Sequence, residues 1–162
     1  MILAEIINNR LTGNTLTYAG GVIPQNYELL KDSEYEALIK ERDIRDKLRI
    51  VEAFEAFEYY VYSTLSETNP VESSFNAIFQ LKSLGGMQPE ADTLIQAFIN
   101  FRTMVYLKWN EYEQQILQGQ DPVIDYTMIP KPDIKFRYFK YLSGLEAPPL
   151  GWAVPDVSFY LQ

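Results

Sequence analysis

The chain of 162 residues carries 14 basic and 22 acidic side chains, giving a net charge of −8, and it contains neither cysteine nor histidine. This length fits one domain with a sizeable hydrophobic core. The acidic balance disfavours nucleic-acid binding, which normally needs a basic face. Missing cysteine excludes disulfides and thiol chemistry, and missing histidine excludes His-based triads, imidazole-ligated zinc and Glu-x-x-His di-iron sites. We therefore expect no cofactor and no metal centre.

Nothing in the sequence indicates a membrane segment or a secretory leader. No stretch reaches the roughly 18 uncharged apolar residues that span a bilayer. The apolar run 1–7 is interrupted by Glu5 and lacks a basic leader. We therefore expect a soluble protein that is made in the cytoplasm and has no membrane partner.

The first predicted element covers residues 2–11, where apolar side chains recur at helical spacing. Gly13 would end this helix. A β-hairpin that turns at Gly13-Asn14 is the alternative, and the apolar spacing favours the helix only slightly. The apolar face of the helix would hold Leu3, Ile7 and Leu11. The hairpin would pair residues 9–11 with residues 16–18.

A long helix is predicted over 34–65, because Ser33 and Glu36 match a capping box. In its first half, acidic residues precede basic ones by four positions, which is the favourable order on a helix surface. The second half has a strong apolar stripe, which indicates a face packed on the core. This stripe consists of Ile50, Phe54, Phe57, Val61 and Leu65.

The stretch 40–49 of this helix is highly charged. Only Ile44 and Leu48 are apolar within it, so we expect this part to contact the core along one thin line. The favoured interpretation of the charges is a solvated face, which needs no function. The alternative is a projecting arm that meets the charges of a partner.

A shorter helix is predicted over 70–84. Asn69 and Pro70 form a helix-start pair, with asparagine as the cap and proline in the first turn. Gly85-Gly86 would end this helix.

The strongest helical signal runs over 90–118. Pro89 fits the first turn, and Gly119 fits the left-handed position just past the last turn. Short connections favour antiparallel neighbours, so the helices over 34–65, 70–84 and 90–118 are predicted to pack as a bundle. The apolar face of the central helix consists of Ala91, Leu94, Phe98, Phe101, Val105, Trp109, Tyr112 and Ile116.

The composition changes after Gly119. Six of the nine prolines lie between Pro122 and Pro155, a density that prevents long helices and interior strands. The same segment is rich in aromatic residues, which disordered linkers lack. We therefore expect an ordered but extended segment, with 134–142 as its one regular piece, either a strand or a short helix.

The predicted fold is therefore mainly α. An antiparallel helical bundle covers residues 1–119, and an extended, proline- and aromatic-rich C-terminal arm covers residues 120–162. An arm with so much aromatic surface is expected to anchor contacts with other subunits. The predicted partner-binding residues are Phe136, Tyr138, Phe139, Tyr141, Trp152, Phe159 and Tyr160.

The enzyme chemistry that we consider for this sequence uses paired carboxylates. Glu52, Glu55 and Glu58 repeat every three residues, which suits either a cation or acid–base site or, as we favour, the wet side of an amphipathic helix. A glycosidase needs only two carboxylates, but none of the 22 acidic residues lies in a distinctive motif. The glycines form no phosphate-binding loop. We predict no catalytic, metal or cofactor site.

The leading functional hypothesis is a non-enzymatic structural or assembly protein that acts through protein–protein contacts in a homo-oligomer or larger particle. A virion component of the phage type is its most specific form. One alternative is a small carboxylate-dependent enzyme acting on a glycan. The other is an acidic regulator that binds a basic partner.

Overall fold

The computed structural model describes residues 1–66 and 74–162, and within them it shows four α-helices and a three-stranded antiparallel sheet. The prediction of a mainly α fold with an antiparallel helical bundle over residues 1–119 is therefore wrong, because the fold mixes α and β structure. The chain forms two compact units. Unit 1 consists of Met1–Phe54 and Asn110–Ile124, and unit 2 consists of Glu55–Trp109 and Asp125–Gln162.

The sheet belongs to unit 1. Its strands are β1 (Ile2–Ile7), β2 (Arg10–Thr17) and β3 (Tyr27–Leu30), and β1 lies in the centre, antiparallel to both neighbours. The predicted helix over 2–11 is therefore wrong. Isoleucine and threonine, which favour pleated structure, fill these strands, and a short apolar run does not distinguish a strand from a helix.

The hairpin alternative is correct in kind but places the turn at the wrong residues. The chain turns at Asn8 and Asn9, whose φ angles are 53° and 61°. A two-residue type I′ turn requires positive φ at both positions, and asparagine tolerates it. Gly13, with φ 99°, lies instead where the pairing of β1 and β2 shifts register. Glycine is favoured there by the positive φ, which strains other residues, and a Cβ would also displace the Arg42 guanidinium, whose Nη1 would lie 2.7 Å away.

The first long helix is confirmed as α1 (Asp32–Tyr62). Its start differs slightly from the prediction, because the backbone N–H of Lys31 donates to Oε2 of Glu34 at 2.8 Å. This is half of a capping box two residues before the one expected at Ser33 and Glu36.

Within unit 1, α1 turns charged side chains inward. Asp46 is buried, and Arg49 donates to the carbonyl of Pro122 at 2.8 Å. Asp121 lies 3.3 Å from Arg49 and 3.2 Å from Arg10, and so it links α1 to β2. This network holds the segment around Asp121 against α1.

The expected line of core contact through Ile44 and Leu48 is wrong. These residues are 61% and 66% exposed. At about 100° per residue they lie on the side of the helix opposite Asp46. The ion pairs of Arg49 and Asp121 occupy the inner side in their place.

Unit 2 contains α2 (Phe75–Ser83) and most of α3 (Glu90–Leu117). The predicted helix over 90–118 is confirmed, and every residue of its predicted face is buried except Trp109, which is half-buried. Phe98 stacks on Phe75 at 5.0 Å between ring centroids, joining α3 to α2. The predicted helix start at Asn69-Pro70 lies outside the described residues.

The C-terminal segment packs within unit 2. Its regular pieces are α4 (Phe136–Leu142), which resolves the predicted choice in favour of a short helix, and a 3₁₀ turn at Ser158–Leu161. The extended arm is therefore not confirmed. The predicted domain boundary after residue 119 stays a prediction.

Hydrogen bonds tie this segment to α1, to α3 and to the residues beside these helices. The backbone N–H of Phe136 donates to the carbonyl of Leu65, and that of Gln88 donates to the carbonyl of Leu142. Asn100 donates to the carbonyl of Tyr160 at 2.6 Å. The Tyr60 hydroxyl donates to the carbonyl of Ile129 at 2.5 Å.

Candidate functional site

The seven residues predicted to bind a partner fall into two groups. Four rings are more than nine-tenths buried within the chain: Phe136, Phe139, Tyr141 and Tyr160. Tyr138 and Trp152 are half-buried, and Phe159 is 56% exposed. Partner binding by these residues stays a prediction, and the accessible rings are the ones that bear on it.

Tyr138, Tyr141 and Trp152 come together in unit 2 and line an open cleft of about 550 Å³, which we call the aromatic groove. Their ring centroids lie 5.0 Å apart for Tyr141 and Trp152, 5.4 Å for Tyr138 and Trp152, and 6.3 Å for the two tyrosines. The remaining lining residues are Ser66, Lys135, Arg137 and Pro149.

Local structure fixes these rings. Tyr138 and Tyr141 are three apart on α4 and so share a face. Trp152 follows a turn in which its N–H donates to the carbonyl of Pro149 at 3.0 Å. The hydroxyl of Tyr138 donates to Oδ1 of Asp133 at 2.8 Å. The groove is therefore formed before any ligand arrives.

The aromatic groove is bordered by positive charge. Lys135 and Arg137 line it, and no carboxylate is among its described lining residues. Arg137 pairs with Glu146 at 2.6 Å. Lys135 is exposed and forms no ion pair within residues 1–66 and 74–162. Asp133, which accepts from the Tyr138 hydroxyl, and Glu146 balance these two cations in number, and Lys135 is the one that has no ion pair among the described residues.

A second surface lies on α1 in unit 1. Ile44, Leu48 and Val51 are 61%, 66% and 52% exposed and follow one another at steps of four and three. Such steps place them in one row along the helix, which we call the α1 stripe. Sequence reasoning missed this site, because it assigned Ile44 and Leu48 to the core. The i, i+4, i+7 spacing was visible in the sequence, but its direction was not.

The acidic residues do not converge on a catalytic geometry. Glu52, Glu55 and Glu58 are exposed, and Glu52 pairs with Arg49 at 2.6 Å. In the part of the chain that the structure describes, no group of three or more acidic residues could hold a metal ion.

Two carboxylates, Asp43 and Asp46, line a depression of about 310 Å³ in unit 1. Each carboxylate already has an arginine beside it, Arg42 at 2.9 Å from Asp43 and Arg45 at 3.6 Å from Asp46. A glycosidase needs two carboxyl groups that are available to the sugar, and both of these are already engaged by arginine. The depression therefore gives no support to glycan hydrolysis.

The shifted pKa values belong to structural hydrogen bonds. Thr12 and Asn14 donate to the carboxylate of Glu5, both at 2.7 Å, and lower its pKa where β1 and β2 change register. Burial raises the pKa of Tyr60, and the nearby charge of Asp125 raises it further. These groups hold the backbone in place and are not grouped around a cleft.

Comparison with known proteins adds no relative. No protein-family model, curated protein or solved structure matches this chain. Among the described residues, no helix combines the length and apolar character that crossing a membrane requires. Functional inference therefore depends on the α1 stripe and the aromatic groove.

Proposed function

We propose that this protein is a non-enzymatic structural protein that acts through protein–protein contacts in a homo-oligomer or larger particle. The observation that carries the proposal is the α1 stripe, three exposed aliphatic side chains in one row on a long helix. Contiguous exposed apolar surface commonly marks a protein-contact site. Membership of a virion is the most specific form of the proposal and is motivated only by the aromatic, proline-rich composition after residue 119.

The occupant of the stripe is a second copy of this chain. The whole chain carries −8, so two copies repel each other at most relative orientations. Residues 40–52, however, carry five basic and four acidic side chains, a balance of +1. Contact between copies along this stretch therefore avoids the general repulsion. Opposite charges beside the stripe can also pair between the two helices.

The size of the stripe determines how strong such a contact is. Burying the exposed parts of three aliphatic side chains contributes on the order of 3–5 kcal/mol. Association itself costs about 4–15 kcal/mol in lost freedom of motion. One stripe-to-stripe contact is therefore weak. The contact becomes stable when other contacts within a particle raise the effective concentration of the two stripes.

Because the chain has no cysteine, single-cysteine variants report this contact directly. Leu48→Cys is expected to form a covalent dimer under mild oxidation at high protein concentration. Val22→Cys is the control, because Val22 is 96% exposed in the segment between β2 and β3. We expect at least about tenfold more dimer from Leu48→Cys. Equal yields from the two variants would contradict the proposal.

Sedimentation velocity over a range of concentrations provides a second test. Val51→Glu and Val22→Glu change the net charge equally, but only Val51→Glu should abolish concentration-dependent association. Both variants replace exposed residues, so the free energy of unfolding should change by no more than about 0.5 kcal/mol. A wild-type chain that stays monomeric at every concentration, or a Val51→Glu variant that associates like wild type, would refute stripe-mediated assembly.

A further inference from the structure

We propose that the aromatic groove binds a short, extended, proline-rich peptide that carries an acidic residue. The groove belongs to unit 2, and the α1 stripe belongs to unit 1. The inference is therefore independent of the proposed self-association. It assigns a ligand class to three of the residues predicted from the sequence to bind a partner: Tyr138, Tyr141 and Trp152.

The ring geometry favours proline. Grooves lined by aromatic side chains recognise polyproline II segments, because such segments are already extended and lose little entropy on binding. A polyproline II helix rises about 3.1 Å per residue, so the 6.3 Å between the Tyr138 and Tyr141 centroids spans about two residues. Trp152 lies against both tyrosines and forms the wall between them. The groove therefore fits two prolines that are separated by one residue.

The charge favours an acidic residue beside those prolines. Lys135 and Arg137 line the groove, and Glu146 neutralises only Arg137 within the described residues. A carboxylate on the ligand would pair with the Lys135 ammonium. A basic ligand would meet like charge at Lys135, and no carboxylate is among the described lining residues, so the groove discriminates against it.

A peptide fits this groove better than an oligosaccharide. Aromatic rings also stack on sugars, but sugar sites need side chains that hydrogen-bond several hydroxyl groups. The described lining has neither a carboxylate nor an amide side chain. Its Tyr138 hydroxyl already donates to Asp133.

The test measures fluorescence anisotropy of labelled peptides with the full-length chain. The probe is a short polyproline peptide interrupted by glutamate. One control peptide carries lysine in place of glutamate, and another keeps the glutamates but replaces every proline by serine. We expect saturable binding of the probe, and affinity lower by at least about fivefold for each control peptide.

Two variants locate the binding. Trp152→Ala removes a wall of the groove and should weaken binding by at least about tenfold. Lys135→Glu should weaken it by about three- to tenfold, and Lys31→Glu, an exposed lysine in unit 1, is its charge-matched control. Lys135 is exposed, so Lys135→Glu keeps the test valid even if Trp152→Ala does not fold.

Three outcomes would overturn the proposal. The first is no saturable binding of the acidic proline peptide to the wild-type chain. The second is equal loss of affinity in Lys135→Glu and Lys31→Glu, which would place the peptide elsewhere or make its binding non-specific. The third is saturable binding of a neutral oligosaccharide that competes with the peptide and exceeds it in affinity, which would assign the groove to glycans.

Discussion

The first half of α1 and the C-terminal segment place their side chains in opposite ways. Around Asp46, α1 turns charged groups inward and leaves Ile44 and Leu48 exposed. The C-terminal segment, rich in proline, buries rings such as Phe139 and Tyr160. Sequence reasoning expects the reverse in both regions. The comparison shows that composition indicates which residues a segment contains, whereas contacts with residues distant in sequence decide which of its side chains are buried.

The reason for each reversal is specific. On α1, Asp121 lies within reach of both Arg10 and Arg49 and so draws the charged side toward the network. In the C-terminal segment, the hydroxyl of Tyr160 donates to the carbonyl of Pro130 at 2.6 Å. This bond gives a partner to a backbone carbonyl in a stretch where proline prevents regular backbone hydrogen bonding. Three experiments test this contrast.

The largest expected effect is at the buried rings. Phe139 is 0% exposed, and Phe139→Ala should lower the free energy of unfolding by about 3–5 kcal/mol, because it leaves a cavity in unit 2. Phe159→Ala is the matched control, since Phe159 is 56% exposed, and should cost less than about 1 kcal/mol. Urea denaturation followed by circular dichroism measures both. Similar losses of stability in the two variants would mean that Phe139 and Phe159 do not differ in burial.

The inward charges of α1 should give a smaller effect. Asp121→Asn leaves Arg10 and Arg49 without their shared carboxylate and should cost about 1–2 kcal/mol in the same measurement. Asp43→Asn is the control, because Asp43 pairs with Arg42, its neighbour on the same helix, and so joins no separate segments; it should cost no more than about 0.5 kcal/mol. If both variants matched wild type, the charged side of α1 would not be held by this network.

The smallest effect concerns Tyr60, whose hydroxyl donates to the carbonyl of Ile129. Tyr60→Phe should cost about 1 kcal/mol at neutral pH. Burial raises the pKa of Tyr60 above its ordinary value of 10.0. The folded state therefore holds this proton more tightly than the unfolded state. Its contribution to stability is complete below about pH 10 and is lost as the pH rises through the raised pKa.

Urea denaturation between neutral pH and pH 11 measures this contribution. The free energy of unfolding of Tyr60→Phe should fall less steeply than that of wild type as the pH rises above about 10. That of Tyr59→Phe should follow wild type, because Tyr59 is 77% exposed. Parallel curves for wild type and Tyr60→Phe would show that the hydroxyl does not contribute.

The parts of the fold that sequence predicts are those with long local repeats. The apolar period of α3 extends over eight turn-spaced residues and fixes both the helix and its buried face. The turn at Asn8-Asn9 was missed because Gly13-Asn14 offers a similar signal, and only the pairing of β1 with β2 distinguishes the two. The direction of α1 in unit 1 depends on Arg10 and Asp121, which no local window contains.

The candidate surfaces were likewise predicted only in part from the sequence. Sequence identified Tyr138, Tyr141 and Trp152 as rings of interest, because aromatic residues in a proline-rich segment are conspicuous. It did not indicate that these rings converge, since α4 and the turn at Pro149 bring them together. Lys135 was missed because a single lysine gains meaning only from what lies beside it.

The interleaved order of the two units also bears on how the chain is made. Unit 1 closes only when Asp121 can reach Arg10 and Arg49, yet residues 55–109 of unit 2 are translated in between. At about 5–20 residues per second, the ribosome needs about 3–11 s to deliver residues 55–109, which lie between the two parts of unit 1. During that interval β1, β2 and the first half of α1 lack their final cover. A nascent chain arrested before residue 121 should therefore be a substrate for chaperones.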